Sequence, residues 1–356
     1  MNRYVRTFIR LFFTIGLIFM ALVFLGIGAA TIIRHTGKDS IFGIGAFKAP
    51  GLKSEGVVSE EDKVKFKWQD DYIIYHRSVY DYNDDIMTFL IMGIDKAEEE
   101  VTGVYGEIGG GQADALFLLV LNPHDKSVKI ISVNRNTMTD VDIFDEYGNY
   151  LTTTQAQIAV QHGFGDGLES SCELQRNAVS KLFYSLPIHG YAAVNMSAIP
   201  AINDAVGGVD VTPDYDFTTR GYSFKKGESV HLEGDMAFAY LHDRDITSAG
   251  SADLRQQRHK QYLEAFVKKT KTIVKENPLL VTSIYEVIRK QMITDITMQE
   301  VFYLSTTASG YSFDRENFYT LEGVTNIGPY FEEFYVDDDY LTGLMVDIFY
   351  EKVGEY

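Results

Sequence analysis

An uncharged run of 23 residues, positions 11–33, constrains the architecture of this chain more than any other feature. As a helix the run is about 34 Å long, enough to cross a hydrocarbon core of about 30 Å. The apolar region of a secretory signal is normally only about 7 to 15 residues long, so the run favours an uncleaved membrane anchor over a cleaved signal or a buried core helix. Arg3, Arg6 and Arg10 precede the run, which favours a cytoplasmic amino terminus and an extracellular remainder.

The part of the chain after this anchor is strongly acidic. All 50 Asp and Glu residues follow the anchor, and the whole chain has 32 Lys and Arg and a formal charge of −18. Such a charge opposes nonspecific binding to nucleic acid, so we expect no nucleic-acid partner. The single cysteine, Cys172, excludes a disulfide framework within the chain, and the spacing of the histidines does not match a zinc motif.

Composition and periodicity divide the chain into four parts. Residues 1–33 form the cytoplasmic tip and the anchor. Residues 34–67 are rich in glycine, serine and charge without periodicity, which is typical of a stalk. A folded domain is predicted over residues 68–276, and residues 277–356 are predicted to form a helical extension packed on that domain.

Within the folded domain, short apolar runs alternate with stretches of helical spacing. The runs at 88–92 and 115–121 predict buried strands, since the second is too continuous for a half-exposed strand. Residues 128–133 predict a strand that returns beside the second run as a hairpin. Helices are predicted from the spacing of apolar residues, the longest at 253–275. Strands interspersed with helices favour an α/β sheet covered on both sides.

Two acidic residues flank the buried runs. Asp95 follows the first run, and Asp114 directly precedes the second. Ligands bind at strand ends in α/β sheets, and two carboxylates placed there suit Mg²⁺. The alternative is a pair of solvated loop acids in a very acidic chain. The three glycines at 109–111 lack the lysine of a phosphate loop, so a flexible loop is predicted there.

Four arginines form the second candidate group. Arg135 follows the third apolar run, Arg244 lies at the end of a predicted helix, and Arg255 and Arg258 lie three residues apart near the start of the longest helix. Residues three apart share a helix face, and a helix start favours anions. Because the guanidinium group matches phosphate oxygens, these residues indicate an anion site. Surface salt bridges to the many acids are the alternative.

Taken in order, these segments resemble the LytR-CpsA-Psr family, which are anchored enzymes of Gram-positive envelopes. The resemblance covers about half of the chain, and its specificity comes from the order and spacing of several short segments rather than from one motif. The matching segments are residues 89–95 (FLIMGID), 113–115, 132–137, 188–194, 204–209, 227–237, 240–244 and 255–263.

The resemblance implies a fold and an activity. The fold would be an αβα sandwich around a central mixed sheet, with an apolar pocket for a polyprenyl chain. The activity would be transfer of a glycopolymer from a polyprenyl pyrophosphate carrier to peptidoglycan, forming a phosphodiester. Asp95 and Asp114 would hold Mg²⁺, and Asp95 is also the candidate base. The four arginines would bind the pyrophosphate, with Arg135 and Arg244 taking part in catalysis.

The chain departs from the usual pattern of the family at four positions. Gln112 and His242 stand where the family usually has arginine, Asn136 replaces an aspartate, and His259 replaces a glutamine. Positive charge is therefore lost, or depends on histidine protonation. A competing hypothesis is a noncatalytic envelope protein of the same fold that binds polyprenyl phosphate lipid or wall glycan. A transmembrane transcription regulator is disfavoured because ten residues before the anchor are too few for a DNA-binding domain.

Overall fold

The structure is a computed structural model that describes residues 36, 38–42, 48–95, 110–242, 251–276, 292–308, 310–313 and 315–356. The predicted anchor at residues 11–33 lies outside these ranges. Among the helices inside them, none has both the length and the apolar character needed to cross a membrane.

A mixed sheet of six strands forms the centre of the fold, as predicted. Its order is β13-β8-β3-β4-β5-β14. Strands β3, β4 and β5 pair antiparallel, while β8 runs parallel to β3 and β14 parallel to β5. The strands are β3 (Met87–Asp95), β4 (Gln112–Asn122), β5 (Ser127–Val133), β8 (Gly190–Asn195), β13 (Met292–Thr294) and β14 (Phe318–Thr320).

Strand β3 is covered on both faces, which explains its unbroken apolar sequence. Phe89 and Ile91 enter one hydrophobic core, whereas Leu90 and Met92 enter the other. Because successive side chains of a strand point to opposite faces, a strand between two cores needs apolar residues at every position.

Helices cover the two faces of the sheet, so the predicted layered α/β arrangement is confirmed. The core on one face includes side chains of α3, α4, α5 and α6, and the core on the other includes side chains of α2 and α7. The helices are α1 (Glu60–Phe66), α2 (Glu169–Leu182), α3 (Ile199–Ala205), α4 (Asp235–His242), α5 (Ser251–Glu276), α6 (Met298–Ala308) and α7 (Asp338–Phe349).

Shorter sheets surround the central one. A three-stranded sheet has the order β1-β2-β17, and the remaining strands form two-stranded pairs: β6 with β7, β9 with β12, β10 with β11, and β15 with β16. Their bounds are β1 (Tyr72–Tyr75), β2 (Ser78–Tyr82), β6 (Met138–Phe144), β7 (Tyr150–Gln157), β9 (Val209–Val211), β10 (Phe217–Thr219), β11 (Tyr222–Phe224), β12 (Val230–Leu232), β15 (Gly323–Ile327), β16 (Glu332–Val336) and β17 (Tyr350–Glu355).

The structure differs from the sequence prediction in two terminal regions. Residues 277–356, predicted to be a helical extension, contribute β13 and β14 to the central sheet as well as α6 and α7. In the predicted stalk, Ile41 is buried in one core and Leu52 in the other. Both differences have one cause: strands of three residues and single apolar side chains are too short to produce a periodic signal.

Candidate functional site

Asp114 lies between two arginine side chains at the edge of the central sheet. Its Oδ1 is 2.6 Å from Nη1 of Arg135, and its Oδ2 is 3.1 Å from Nη1 of Arg255. Only 7% of Asp114 and 4% of Arg255 is exposed to solvent, so the ion pairs are largely screened from water. We call Asp114, Arg135 and Arg255 the charged cluster. It has two positive charges and one negative charge, and is therefore suited to bind an anion.

Strand register brings the first two members of the charged cluster together. Leu116 of β4 pairs with Val133 of β5 in an antiparallel ladder. Asp114 lies two residues before Leu116, and Arg135 lies two residues after Val133, so both reach the same edge of the sheet. Arg255 comes from α5, which packs across that edge. The sequence prediction that these three residues belong to one site agrees with their observed contacts.

Arg255 also ties the charged cluster to helix α4. Its Nη1 donates to the carbonyl oxygen of His242 at 3.4 Å, and its Nη2 donates to the carbonyl oxygen of Asp114 at 3.3 Å. His242 is the last described residue of α4. Arg255 is thus held by groups from two elements.

Gln112 occupies the position where the resemblance leads us to expect an arginine. The Nη2 atom of Arg135 donates a hydrogen bond to its Oε1. In the β3–β4 ladder, Gln112 is paired with Asp95, so the backbone of Asp95 is at the same sheet edge as the charged cluster. A neutral amide here orients Arg135 without adding charge.

An apolar cavity opens beside the charged cluster. It has about 550 Å³ of empty space, including solvent at its mouth, and its walls come from β3, β4, β8, α3, α4 and α5. A smaller cavity of about 240 Å³ contains the charged cluster. Both cavities are lined by Ala115, Phe117 and His259. The apolar cavity is lined by Ile91, Met92, Gly93, Ala115, Phe117, Val194, Asn195, Ile199, Leu241, His259, Tyr262 and Leu263.

His259, which lines both cavities, supplies no positive charge. It is 6% exposed, and its Nε2 lies 2.9 Å from the carbonyl oxygen of Leu241. Burial, assisted by the nearby Arg255, lowers the pKa of His259 from 6.5 to about 3. Position 259 therefore stays uncharged near neutral pH, because desolvation penalises the charged imidazole.

The other predicted site residues are placed as follows. Arg258 is 3% exposed, and its Cζ lies 4.7 Å from the centre of the Phe217 ring, so this guanidinium packs on an aromatic side chain. Arg244 lies outside the described residues. For Asp95 only the backbone is described. The site roles predicted for Asp95, Arg244 and Arg258 stay predictions.

The described part of the site does not by itself offer a binding position for Mg²⁺. Each carboxylate oxygen of Asp114 faces a guanidinium, and in the described residues no three His, Cys, Asp or Glu side chains form a group that could hold a metal. Hard cations need several oxygen ligands that are free to coordinate. The magnesium ion predicted for Asp95 and Asp114 stays a prediction, and no step of the proposed reaction runs through the ion.

Sequence reasoning missed a polar network behind Arg135. The Nδ2 atom of Asn136 donates to Oε2 of Glu332 at 3.1 Å, while Nε2 of Gln157 donates to Oδ1 of Asn136 at 2.9 Å and to the carbonyl oxygen of Glu332 at 2.7 Å. Asn136 is 1% exposed. Partners 21 and 196 positions apart produce no local sequence signal.

A buried cysteine and histidine also lie near the site. Cys172 Sγ is 3.8 Å from Nε2 of His162, whose Nδ1 is 3.1 Å from the carbonyl oxygen of Gly111. Burial raises the pKa of the Cys172 thiol far above its usual value, so the pair is not an activated nucleophile. Cys172 has an exposure of 0% and packs as a buried apolar residue.

Together, the fold and the site define a class: an α/β protein in which an apolar cavity meets a buried arginine cluster suited to an amphiphilic anion. The chain belongs to the LytR_cpsA_psr family, whose family model matches residues 45–339.

Known proteins similar to this chain agree with that assignment. The chain is 30% identical over 216 residues to a protein of Bacillus mycoides named polyisoprenyl-teichoic acid–peptidoglycan teichoic acid transferase TagU, and the match covers 61% of this chain and 62% of that protein. The chain thus spans less than two thirds of this relative. The crystal structure of B. subtilis TagV has a TM-score of 0.55 and 25% identity, covering 74% of this chain and 96% of that one. Protein gbs0355 of Streptococcus agalactiae, with a TM-score of 0.57 and 19% identity, covers 74% of this chain and 86% of that one, and shares the fold.

Proposed function

We propose that the protein is a membrane-anchored phosphotransferase of the cell envelope, which moves a glycopolymer from a polyprenyl pyrophosphate carrier to peptidoglycan. One observation carries this proposal: the apolar cavity and the charged cluster share the walls formed by Ala115, Phe117 and His259. A polyprenyl pyrophosphate has an apolar chain joined directly to an anionic head. Family membership and the transferase name of the relative from B. mycoides also support it.

In this proposal the two ends of the donor bind different surfaces. The polyprenyl chain lies in the apolar cavity, where burial of hydrocarbon contributes about 25 cal/mol per Å². The pyrophosphate lies against Arg135 and Arg255, whose planar groups donate paired hydrogen bonds to phosphate oxygens. Asp114 holds both guanidinium groups in place before the substrate arrives. Such preorganisation reduces the cost of aligning charge during the reaction.

The proposed chemistry is a displacement at phosphorus. A hydroxyl oxygen of the peptidoglycan acceptor forms a bond to the phosphorus that carries the glycopolymer, and the bond from that phosphorus to the bridging oxygen breaks. The leaving group is the polyprenyl phosphate, and the hydroxyl proton passes to a carboxylate. We assign this carboxylate to Asp95, because Asp114 is already engaged by two arginines. The arginines stabilise the negative charge that grows on the leaving phosphate.

Three features of the proposal rest on sequence alone. The magnesium ion, which would further neutralise the pyrophosphate, is predicted from Asp95 and Asp114. The anchor at residues 11–33 would hold the domain outside the membrane with the amino terminus in the cytoplasm. The Gram-positive envelope is predicted from the resemblance to the family.

A second candidate function is lipid or glycan binding without catalysis. It is favoured by one observation: the neutral amide of Gln112, at a position where the family usually has arginine, contacts Arg135, so one positive charge is missing next to the charged cluster. Loss of one such contact to a transition state costs a factor of about 10² to 10³ in rate.

Turnover by the full-length protein in detergent distinguishes the two candidates. The substrate is a polyprenyl pyrophosphate-linked oligosaccharide, and release of polyprenyl phosphate is followed with and without Mg²⁺. The enzyme hypothesis predicts that Arg135→Ala and Arg255→Ala each lower the rate about 10² to 10³-fold. Lys181→Ala is the control, because Lys181 pairs with Asp142 at a separate exposed position, 2.8 Å apart. Tight lipid binding with no turnover in the wild type would favour the noncatalytic protein.

A further inference from the structure

A second groove lies on the outer side of helix α4. It contains about 680 Å³ of empty space, open solvent included, and is lined by Ser197, Pro200, Arg220, Tyr222, Asp235 and Phe238. The part of this space that a bound molecule can fill is about 340 Å³, which falls in the range of about 300 to 1,000 Å³ that is typical of small-molecule sites. The proposed donor site does not use this groove.

Arg220 reaches the groove from an unusual backbone conformation. It forms the two-residue turn between β10 and β11 with Gly221, and both residues have positive φ angles, +47° and +83°. Glycine or asparagine is favoured in such a turn, and a bulky residue there is strained. The turn places Cζ of Arg220 4.7 Å from the centre of the Phe238 ring. A strained residue that delivers a charged group to a groove indicates a function for that group.

The groove is connected to the charged cluster along α4. The Phe238 ring stacks on His242, with centroids 4.6 Å apart and an interplanar angle of 16°, and the carbonyl oxygen of His242 accepts from Arg255. Asp235 and His242 are seven residues apart, which corresponds to about 10 Å along a helix. A molecule in the groove is therefore about two helical turns from the proposed position of the pyrophosphate.

Two elements separate the groove from the apolar cavity. Helix α4 contributes Leu241 to the cavity and Asp235 to the groove, and the segment leading into α3 contributes Asn195 to the cavity and Ser197 to the groove. The groove is thus on the other side of the wall from the proposed lipid chain. The proposed function places the donor's lipid chain in the apolar cavity, so the groove suits the acceptor rather than the donor.

We infer that the groove binds a hexosamine ring of the acceptor glycan. The inference rests on the proposed function and adds the acceptor site to it. Tyr222 offers apolar surface for the ring, since Phe238 already stacks on Arg220 and His242, while Arg220, Asp235 and Ser197 offer donors and acceptors for hydroxyl and amide groups. A polyanion fits poorly, because the carboxylate of Asp235 lies in the same groove as the guanidinium of Arg220.

Binding of a soluble peptidoglycan tetrasaccharide of N-acetylglucosamine and N-acetylmuramic acid tests the inference. The full-length protein is titrated calorimetrically with the tetrasaccharide and, separately, with a polyprenyl phosphate. Arg220→Asn keeps the positive φ angle and removes the guanidinium, so it is expected to fold and to weaken tetrasaccharide binding about tenfold or more. Asp235→Asn is expected to weaken the same binding. Lys226→Asn, which removes a charge from the other end of the same hairpin, is the control.

The outcomes separate this inference from the proposed function. Unchanged tetrasaccharide affinity in both groove variants overturns the inference, as does a loss of polyprenyl phosphate affinity in place of tetrasaccharide affinity. Equal weakening by Lys226→Asn also overturns it, since a general charge effect would then be responsible. Absence of turnover in the wild type would overturn the proposed function, and the tetrasaccharide titration would still decide whether the groove binds glycan.

Discussion

Asp114 carries a buried negative charge between two arginines. The loss of one of these three charges is expected to cost more stability than the ion pairs contribute. A buried ion pair stabilises a fold only modestly, because both charges lose their hydration on folding. Removing one partner is far more costly, since the remaining charges are left buried without compensation. Asp114 is therefore a structural requirement for keeping Arg135 and Arg255 in the site.

We predict that Asp114→Asn lowers the free energy of unfolding by about 3–5 kcal/mol. The measurement is urea denaturation of the purified protein at neutral pH. Asp216→Asn is the control, because its partner Lys225 and Asp216 itself have side chains that are 56% and 60% exposed. Such an exposed pair contributes little to stability, because solvent screens the two charges. Equal losses in the two variants would contradict the buried character of the charged cluster.

Neutral His259 gives a second prediction at the residue scale, concerning pH. Its pKa is about 3 in the folded protein, against 6.5 for a histidine in water, so between these values the unfolded chain binds more protons. The free energy of unfolding therefore falls as pH falls through this window, by at most about 1.4 kcal/mol per pH unit for this residue. His259→Gln keeps a donor for the Leu241 carbonyl oxygen and removes the titrating group.

We expect the stability of His259→Gln relative to the wild type to rise by about 2 kcal/mol between pH 6.5 and pH 5. Denaturation curves at several pH values measure this difference. His76→Gln, at a position where the side chain is 74% exposed, should show a much smaller change. A difference that stays constant with pH would show that His259 is not held neutral.

At the scale of elements, β16 supports the loop that carries Arg135. Its first residue, Glu332, accepts from the Asn136 amide. The family usually has an aspartate at position 136, which would place a second carboxylate beside Glu332. We predict that Asn136→Asp destabilises the fold by about 1–3 kcal/mol. The double variant Asn136→Asp/Glu332→Gln should recover most of this loss in urea denaturation. No recovery would mean that the two side chains are not coupled.

Helix α5 gives a prediction about the apolar cavity. Leu263 lines it, so Leu263→Trp should fill part of the space and weaken polyprenyl phosphate binding about tenfold, which corresponds to about 1.4 kcal/mol. Leu254→Trp is a matched control on the same helix, because Leu254 is 37% exposed. Binding is measured by titration with the lipid in detergent. Equal affinity of the two variants would place the lipid elsewhere.

At the scale of the whole molecule, the central sheet and its covering layers position the charged cluster, the apolar cavity and the groove. One of its edges collects Asp114 from β4 and Arg135 after β5, and one of its two covering layers provides Arg255, the apolar cavity wall and the groove beside α4. In this arrangement the apolar cavity and the charged cluster share walls, and the groove lies on the other side of α4. Changes in α4 or α5 are therefore expected to affect more than one site.

The sequence alone was sufficient to predict the buried strands and the mixed α/β fold, and it named Asp114, Arg135 and Arg255 as candidate site residues whose roles stay predictions. Buried strands such as β3 are readable because burial on both faces requires an unbroken apolar run. The resemblance supplied the order of the segments. Neither the apolar runs nor the order of the segments requires information about contacts between residues that are distant in sequence.

Tertiary structure decided which partners those residues have. Asp114 and Arg255 are 141 positions apart, and no local pattern specifies that both carboxylate oxygens face guanidinium groups. The neutrality of His259, the role of Glu332 and the groove of Arg220 are likewise set by burial and by packing between elements. These properties depend on desolvation and distance, which arise only when the chain is folded.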